Sequence, residues 1–145
     1  MAPIYNWSME TSRAFRTGRH CVFRLHVHLV FVTKYRRDVL TDPAHETLRE
    51  VFAKVCQDFE AVLVETNGED DHVHLLIEYA PKVALSKLVN SLKGVSSRRL
   101  RQQHPEIANH YDKGALWSPS YFAASCGGAP LSVIRQYVEN QRKGM

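Results

Sequence analysis

Apolar and polar residues alternate along several stretches of this chain with the two-residue period of a β-strand. From Cys21 to Tyr35, Phe23, Leu25, Val27, Leu29 and Phe31 share one face, and Arg24, His26, His28, Val30 and Val32 share the other. Ala61 to Glu65 is a shorter strand. From His72 to Tyr79, Val73, Leu75, Ile77 and Tyr79 make the apolar face, with His72, His74, Leu76 and Glu78 opposite, because successive side chains on a strand point to opposite sides. Asn67-Gly68 can supply the positive φ angles of a reversal, so the last two strands are expected to form a hairpin with a loop from Thr66 to Asp71. Leu116 to Ser125 reads as a strand broken or bulged at Pro119.

Three segments carry helical spacing instead. Thr41 or Asp42 ahead of Pro43 starts the first, with Leu48, Val51, Phe52, Val55, Cys56 and Phe59 on its apolar face. The second, about Leu85 to Gln103, turns Leu85, Leu88, Val89, Leu92, Val95 and Leu100 inward and Lys87, Arg98 and Arg101 away from them. Pro105 to Gly114 is irregular. The third, about Pro130 to Lys143, packs Leu131, Ile134 and Val138, with Tyr137 and Gln141 projecting together at i, i+4 along the edge of that side. The order β-α-ββ-α-β plus a final helix predicts an α+β, ferredoxin-like four-stranded antiparallel sheet. Right-handed crossovers put the first strand beside the His72 strand in the middle, with two helices on one face. His26, His28, His72 and His74 then lie on the open face, which only the terminal helix can approach.

Composition narrows the class. A chain of 145 residues with 44% hydrophobic content is most simply one domain with a real core. Its net charge of +4 leans toward a polyanionic partner. Six basic residues and no acid between Lys82 and Arg101 strengthen that lean, although a solvated helix face is the ordinary explanation. Cys21, Cys56 and Cys126 fit neither a disulfide framework nor a zinc spacing. No stretch is apolar enough for a membrane span and the first 20 residues lack a signal region, so a cytoplasmic protein is expected. Residues 1–18 read as a loosely attached arm.

Two imidazoles at i and i+2 on a strand can hold one divalent cation and leave positions open for a phosphate oxygen. Solvated histidines are the alternative, and periodicity does not separate His72–His74 from His26–His28. The wider pattern does. Asp71-His72-Val73-His74-Leu75-Leu76 resembles the histidine-hydrophobe-histidine (HUH) motif of the single-tyrosine, IS200-like transposases. Val133-Ile134-Arg135-Gln136-Tyr137-Val138-Glu139-Asn140-Gln141 resembles their nucleophile helix. Val32-Thr33-Lys34-Tyr35-Arg36-Arg37, Leu92-Lys93-Gly94 and Leu116-Trp117-Ser118 with Tyr121 also resemble segments of that family, so the likeness runs from about Arg16 to Gln141.

The resemblance implies a dimeric transposase that acts on single-stranded DNA, on hairpin-bearing element ends, with magnesium or manganese. It makes His72, His74 and Gln141 the metal ligands and Tyr137, on a mobile catalytic helix 130–143, the nucleophile. Lys34, Arg36, Arg37, Lys87, Lys93, Arg98 and Arg101 are expected to contact DNA, and His26 and His28 to support the site. The glycine pair Gly127-Gly128 allows the terminal helix to leave its own sheet, so the active site is expected to be shared between two chains. The chemistry stands without the name: a phenol attacking phosphorus conserves the phosphodiester bond energy in a 5′-phosphotyrosine link, and a cation offsets the charge of the phosphate. A repeat-hairpin nuclease of the same family, a non-catalytic single-strand-binding module and a simple metal-dependent hydrolase remain open as alternatives. The binding module would call for aromatics on the open face, and the hydrolase would not need Tyr137.

Overall fold

The computed structural model describes residues 15–18, 21–111, 115–125 and 131–143. Its centre is a four-stranded antiparallel sheet built from β3 (Leu25–Val32), β4 (Val62–Gly68), β5 (His72–Tyr79) and β6 (Phe122–Ser125), in the order β4-β5-β3-β6. The two longest strands occupy the middle, as the crossover rule requires. A small hairpin, β1 (Arg16–Thr17) with β2 (Val22–Phe23), precedes the sheet. The end of the expected arm is therefore paired, and the Arg16 guanidinium reaches the Glu78 carboxylate at 3.2 Å. The long first strand is also shorter than its alternation suggests. It breaks at Arg24, and Leu25, expected in the core, is 38% exposed.

Helices α1 (Asp42–Asp58) and α2 (Leu85–Gln103) cover one sheet face. Thr41 caps α1 by accepting the Ala44 amide, and Pro43 fits the first turn, where its missing N–H has no role. The apolar stripes meet Val27, Leu29, Phe31, Val73, Leu75 and Ile77 in one core with Phe52, Cys56, Leu88, Leu92 and Leu100. Burial pushes the Cys56 thiol up to about 12, so it packs as a small apolar group. Pro105–Ala108 forms one helical turn, α3, inside a segment expected to be irregular. Two hydroxyls in α2, missed by the apolar stripe, are buried for a reason: Ser96 accepts the Trp117 indole N–H at 2.9 Å and Ser97 the Leu116 amide at 3.2 Å.

The β4–β5 hairpin corrects the expected turn. Asn67 and Gly68 belong to β4, paired with His74 and Val73, and the reversal lies in residues 69–71. Gly68 is needed for closeness, not for positive φ, since a Cβ there would come within 2.4 Å of the His72 carbonyl oxygen. After α3, Trp117 makes only an isolated bridge to Thr33, and β6 begins beyond Pro119. Helix α4 (Leu131–Lys143) lies on the second sheet face, where Val138 is buried against Val30, Val32 and Leu76, with Phe122 and Tyr137 alongside. The glycine pair at 127–128 lies outside the described residues, as do the side chains of Leu131 and Ile134.

Phe31 is fully buried between Phe52 and Trp117, with ring centroids 6.1 and 5.7 Å away. Phe31→Ala is expected to cost about 3–5 kcal/mol, read as a lower midpoint in urea unfolding at unchanged slope. A change under about 1 kcal/mol would mean that the site collapses around the loss.

Candidate active site

The register of β3 on β5 pairs Val30 with His74 and Val32 with His72, which sets His28 diagonally beside His74 on the second face. His74 and His28 stack with centroids 5.4 Å apart, and His72 meets His74 edge-on at 4.9 Å. Burial lowers the pKa of both inner rings, His28 to about 4 and His74 to about 3, the latter helped by the neighbouring His72 and His28. Both are neutral at physiological pH, the state a metal ligand needs.

The Nδ1 atoms of both HUH histidines are engaged. His72 Nδ1 lies 2.8 Å from the Asp71 carboxylate, which can only accept, so Nδ1 carries a proton and the lone pair of the neutral ring is on Nε2. His74 Nδ1 lies 3.2 Å from His28 Nε2. With His74 donating there, its Nε2 is likewise left for a cation. This donor chemistry fits a divalent metal at His72 and His74. Among the described residues no group of three or more His, Cys, Asp or Glu is placed to hold a metal.

Asp71 and Arg36 extend the arrangement. The Arg36 guanidinium donates to Asp71 Oδ2 at 2.6 Å and to Glu139 of α4 at 3.1 Å. Burial raises the Asp71 pKa, but hydrogen bonds and charges from His72 and Arg36 outweigh it and hold the carboxyl below the usual range. Fully buried Thr33 anchors this corner: its amide donates to the Asp71 carbonyl at 2.9 Å, and its hydroxyl lies between the Arg37 and Asp71 carbonyls, at 2.8 and 3.1 Å. The short turn at Lys34–Arg36 then places Tyr35 and Arg36 at φ 62° and 54°, a left-handed backbone that costs an ordinary residue roughly 1–2 kcal/mol.

Tyr137 and Gln141 do project together, but onto serines. The Tyr137 hydroxyl is 2.8 Å from Ser120 Oγ, and Gln141 Oε1 accepts from Ser118 at 2.6 Å and Ser120 at 3.0 Å. Burial raises the Tyr137 pKa, partly opposed by Ser120, so the phenol stays protonated there. A row of rings crosses the face from His72 through His74, His28 and Phe122 to Tyr137, with the last two steps 6.4 and 5.7 Å between centroids. The tyrosine therefore shares the face of the histidines, at the β6 side of β3, while His72 and His74 lie on β5. The structure brings His72, His74 and His28 together, and separately Tyr137 with Gln141.

The remaining expectations divide. Lys93, expected on DNA, donates to the carbonyls of Ser118, Pro119 and Ser120 at 2.7, 3.3 and 3.2 Å, and so pins the segment that holds Tyr137 and Gln141. Arg36 is likewise committed internally, and Arg101 bonds Ser97 within its own helix. Lys87, Arg98 and Arg37 are exposed, and Lys34 is half-buried. His26 meets Glu78 at 3.4 Å, four pairs along the ladder from His74, whereas His28 touches His74 directly. Asp71, Ser118 and Ser120 were not picked out from the sequence as site residues. Adjacency to the HUH motif could have flagged Asp71, and a polar run after Trp117 the serines.

Residues 21–141 match a family described as "Transposase IS200 like". The ISDra2 transposase of Deinococcus radiodurans is 30% identical over 126 residues, covering 87% of this chain and 90% of that protein. The transposase for insertion sequence element IS200 of Salmonella typhimurium is 27% identical over 122 residues, covering 84% and 80%. A crystal structure described as a transposase of Deinococcus radiodurans superposes with a TM-score of 0.78 at 32% identity, covering 87% of this chain and 97% of that one. A REP-associated tyrosine transposase bound to a REP hairpin shares the fold, at a TM-score of 0.52 and 14% identity, covering 86% and 68%. No helix among the described residues is long and apolar enough to cross a membrane.

The neutral histidines predict a pH dependence. Unfolded imidazoles titrate near about 6.5, so between that value and about 4 for His28 the unfolded chain binds more protons and acid favours unfolding. Metal-free stability should be complete above the unfolded value and fall through this window. His28→Gln should flatten the slope of stability against pH by up to about one proton, measured by thermal melts between about pH 7 and pH 5. A slope indifferent to the substitution would remove His28 from the account.

Proposed function

We propose that this chain, which belongs to the IS200-like transposase family, cleaves and rejoins single-stranded DNA by transesterification through Tyr137. Membership makes it a DNA transposase by class. The observation that carries the finer reading is the HUH pair, His72 and His74, each with Nδ1 engaged, on the sheet face that Tyr137 also occupies.

His72 and His74 would hold a magnesium or manganese ion, with the Gln141 amide oxygen as the third ligand, an oxygen donor that suits these hard cations. Such an ion supplies polarisation of the phosphoryl oxygens and neutralises their charge. The Tyr137 oxygen attacks phosphorus, a phosphotyrosine ester forms to the 5′ side, and the bond to the 3′ oxygen breaks. The phenolic proton leaves and the departing 3′ oxygen takes one up, so the step is balanced in protons. A 3′-hydroxyl attacking the same ester runs the step in reverse and rejoins the strand. Bond energy is kept throughout, so no external energy source is required.

We further propose that the site is completed between two chains. Supporting this is the seat of Tyr137 and Gln141 on Ser120 and Ser118, across β3 from His72 and His74. In this structure α4 rests on its own sheet, so a shared site requires the helix to exchange the serines for the histidine pair of a partner. Lys87, Arg98 and Arg37, which are exposed, and half-buried Lys34 would meet the phosphates, with hairpin-bearing element ends as the substrate.

Incubation of labelled single-stranded element ends with magnesium should give a covalent protein–DNA adduct. Tyr137→Phe should abolish the adduct with strand binding nearly intact, and His74→Ala should abolish cleavage through loss of the cation. His26→Ala should only slow it. An adduct in Tyr137→Phe, or loss of the cation in His26→Ala but not in His74→Ala, would overturn the assignment.

Sharing has its own test. Tyr137→Phe chains and His72→Ala/His74→Ala chains, each inactive alone, are co-expressed with different tags and purified as heterodimers. A shared arrangement leaves one whole site per heterodimer, so cutting should return to about half the wild-type level. Inactive heterodimers would mean that the helix acts on its own sheet.

A further inference from the structure

Two residues that the proposed chemistry does not use converge on one ligand. Asp71 is nearly buried at the start of β5, and its two carboxylate oxygens serve different partners: Oδ1 accepts from His72 Nδ1 at 2.8 Å and Oδ2 from Arg36 Nε at 2.6 Å. The backbone is fitted to this. The Thr33 amide fixes the Asp71 carbonyl, its hydroxyl is shared between the Arg37 and Asp71 carbonyls, and its own carbonyl accepts the Arg36 amide at 2.8 Å. Arg36 itself adopts a left-handed φ of 54° right after Tyr35 at 62°. Backbone held in such regions persists where surrounding structure over-determines it, and it clusters at functional sites. Here Arg36 leaves that turn to bridge Asp71 and Glu139.

We propose that Asp71 and Arg36 are positioning residues for the cation site: Asp71 locks His72 in the Nδ1–H tautomer, leaving Nε2 as the ligand, and Arg36 holds the Asp71 carboxylate in place. The proposal rests on the cation site proposed above. Ligating histidines whose second nitrogen donates to a carboxylate are better oriented and more basic, and loss of such a partner typically costs 10–100-fold in metal affinity. His74 has an imidazole in the corresponding place, so the two ligands are supported unequally, and the carboxylate side carries the charge. The Arg36–Glu139 contact is the softer half, because the Glu139 side chain is 60% exposed and a surface pair contributes little. Arg36 therefore acts chiefly through Asp71.

The test uses the full-length protein without DNA and two readouts: Mn²⁺ affinity from the free-ion electron paramagnetic resonance signal, and the His72 tautomer from ¹⁵N shifts of the metal-free protein. Asp71→Ala should weaken Mn²⁺ binding by about 10–100-fold and shift His72 away from Nδ1–H. Asp71→Asn keeps an oxygen acceptor, so it should retain the tautomer and lose less affinity. Arg36→Ala should fall between wild type and Asp71→Ala, and should add nothing when combined with Asp71→Ala. Circular dichroism checks each fold; should Asp71→Ala not fold, Arg36→Ala and Asp71→Asn carry the test, and wild-type affinity in both overturns the proposal. Unchanged affinity in a folded Asp71→Ala, whatever its tautomer, also overturns it. His72→Ala and His74→Ala serve as controls. If neither weakens Mn²⁺ binding, the cation site itself fails and the relay with it; if both do and Asp71→Ala does not, only the relay fails.

Discussion

The register of β3 against β5 is the constraint on which the rest depends. Leu29, Phe31, Leu75 and Ile77 are fully buried on the helix-covered face, and their burial fixes which residues oppose which across the two central strands. Because strand side chains alternate, a slip of one residue would send every one of these groups to the other face and drive the imidazoles into an apolar core. Core packing thus places His72, His74 and His28 on the second face, although none of the three contributes to that core. The same burial keeps His28 and His74 neutral, since an imidazolium there would lose more hydration than its neighbours return.

Around that fixed centre the second face carries two separate polar brackets. On one side Thr33, Asp71 and Arg36 grip His72 and reach Glu139 on α4. On the other, Lys93 gathers three carbonyls of the segment 118–120, whose serines hold Tyr137 and Gln141. Each bracket satisfies half-buried polar groups that would otherwise be costly to leave unpaired. The apolar strip of Val30, Val32, Leu76 and Val138 lies between them. Hydroxyl-to-amide and hydroxyl-to-phenol bonds are individually worth about 1 kcal/mol net, and the burial of Val138 on the strip adds to the hold of α4 on this face. The histidine bracket, with a buried carboxylate and charge-assisted bonds, is the firmer of the two.

Several basic residues illustrate why charge in a sequence is a poor guide to an interface. Arg36 and Lys93 read as cations available to a phosphate, yet each is taken by groups from distant parts of the chain: Asp71 and Glu139 for one, three carbonyls for the other. Lys87 and Arg98, on the outer face of α2, stay exposed. Burial of the Lys93 ammonium lowers its pKa, as expected of a cation held by neutral carbonyls.

Local pattern determined a good deal. Two-residue alternation in 25–32 and 72–79 and the helical stripes of 42–58 and 85–103 were legible because a buried face imposes its period on the residues that form it. The element order and the handedness of crossovers were enough to put β3 beside β5 and all four histidines on one face. The HUH histidines and the Tyr137–Gln141 pair were legible because each is a short-range spacing on a regular element. What the sequence could not decide were pairings between residues far apart along the chain. Nothing local distinguishes the Gly68 of a tight turn from one pressed against the next strand, or His28 beside His74 from His26 beside Glu78. Likewise, nothing near Arg36 says that it meets Asp71, 35 residues on, or Glu139, 103 residues on. Such contacts depend on strand register and on where α4 lies, and those follow from the packing of the whole core, so only the tertiary structure could settle them.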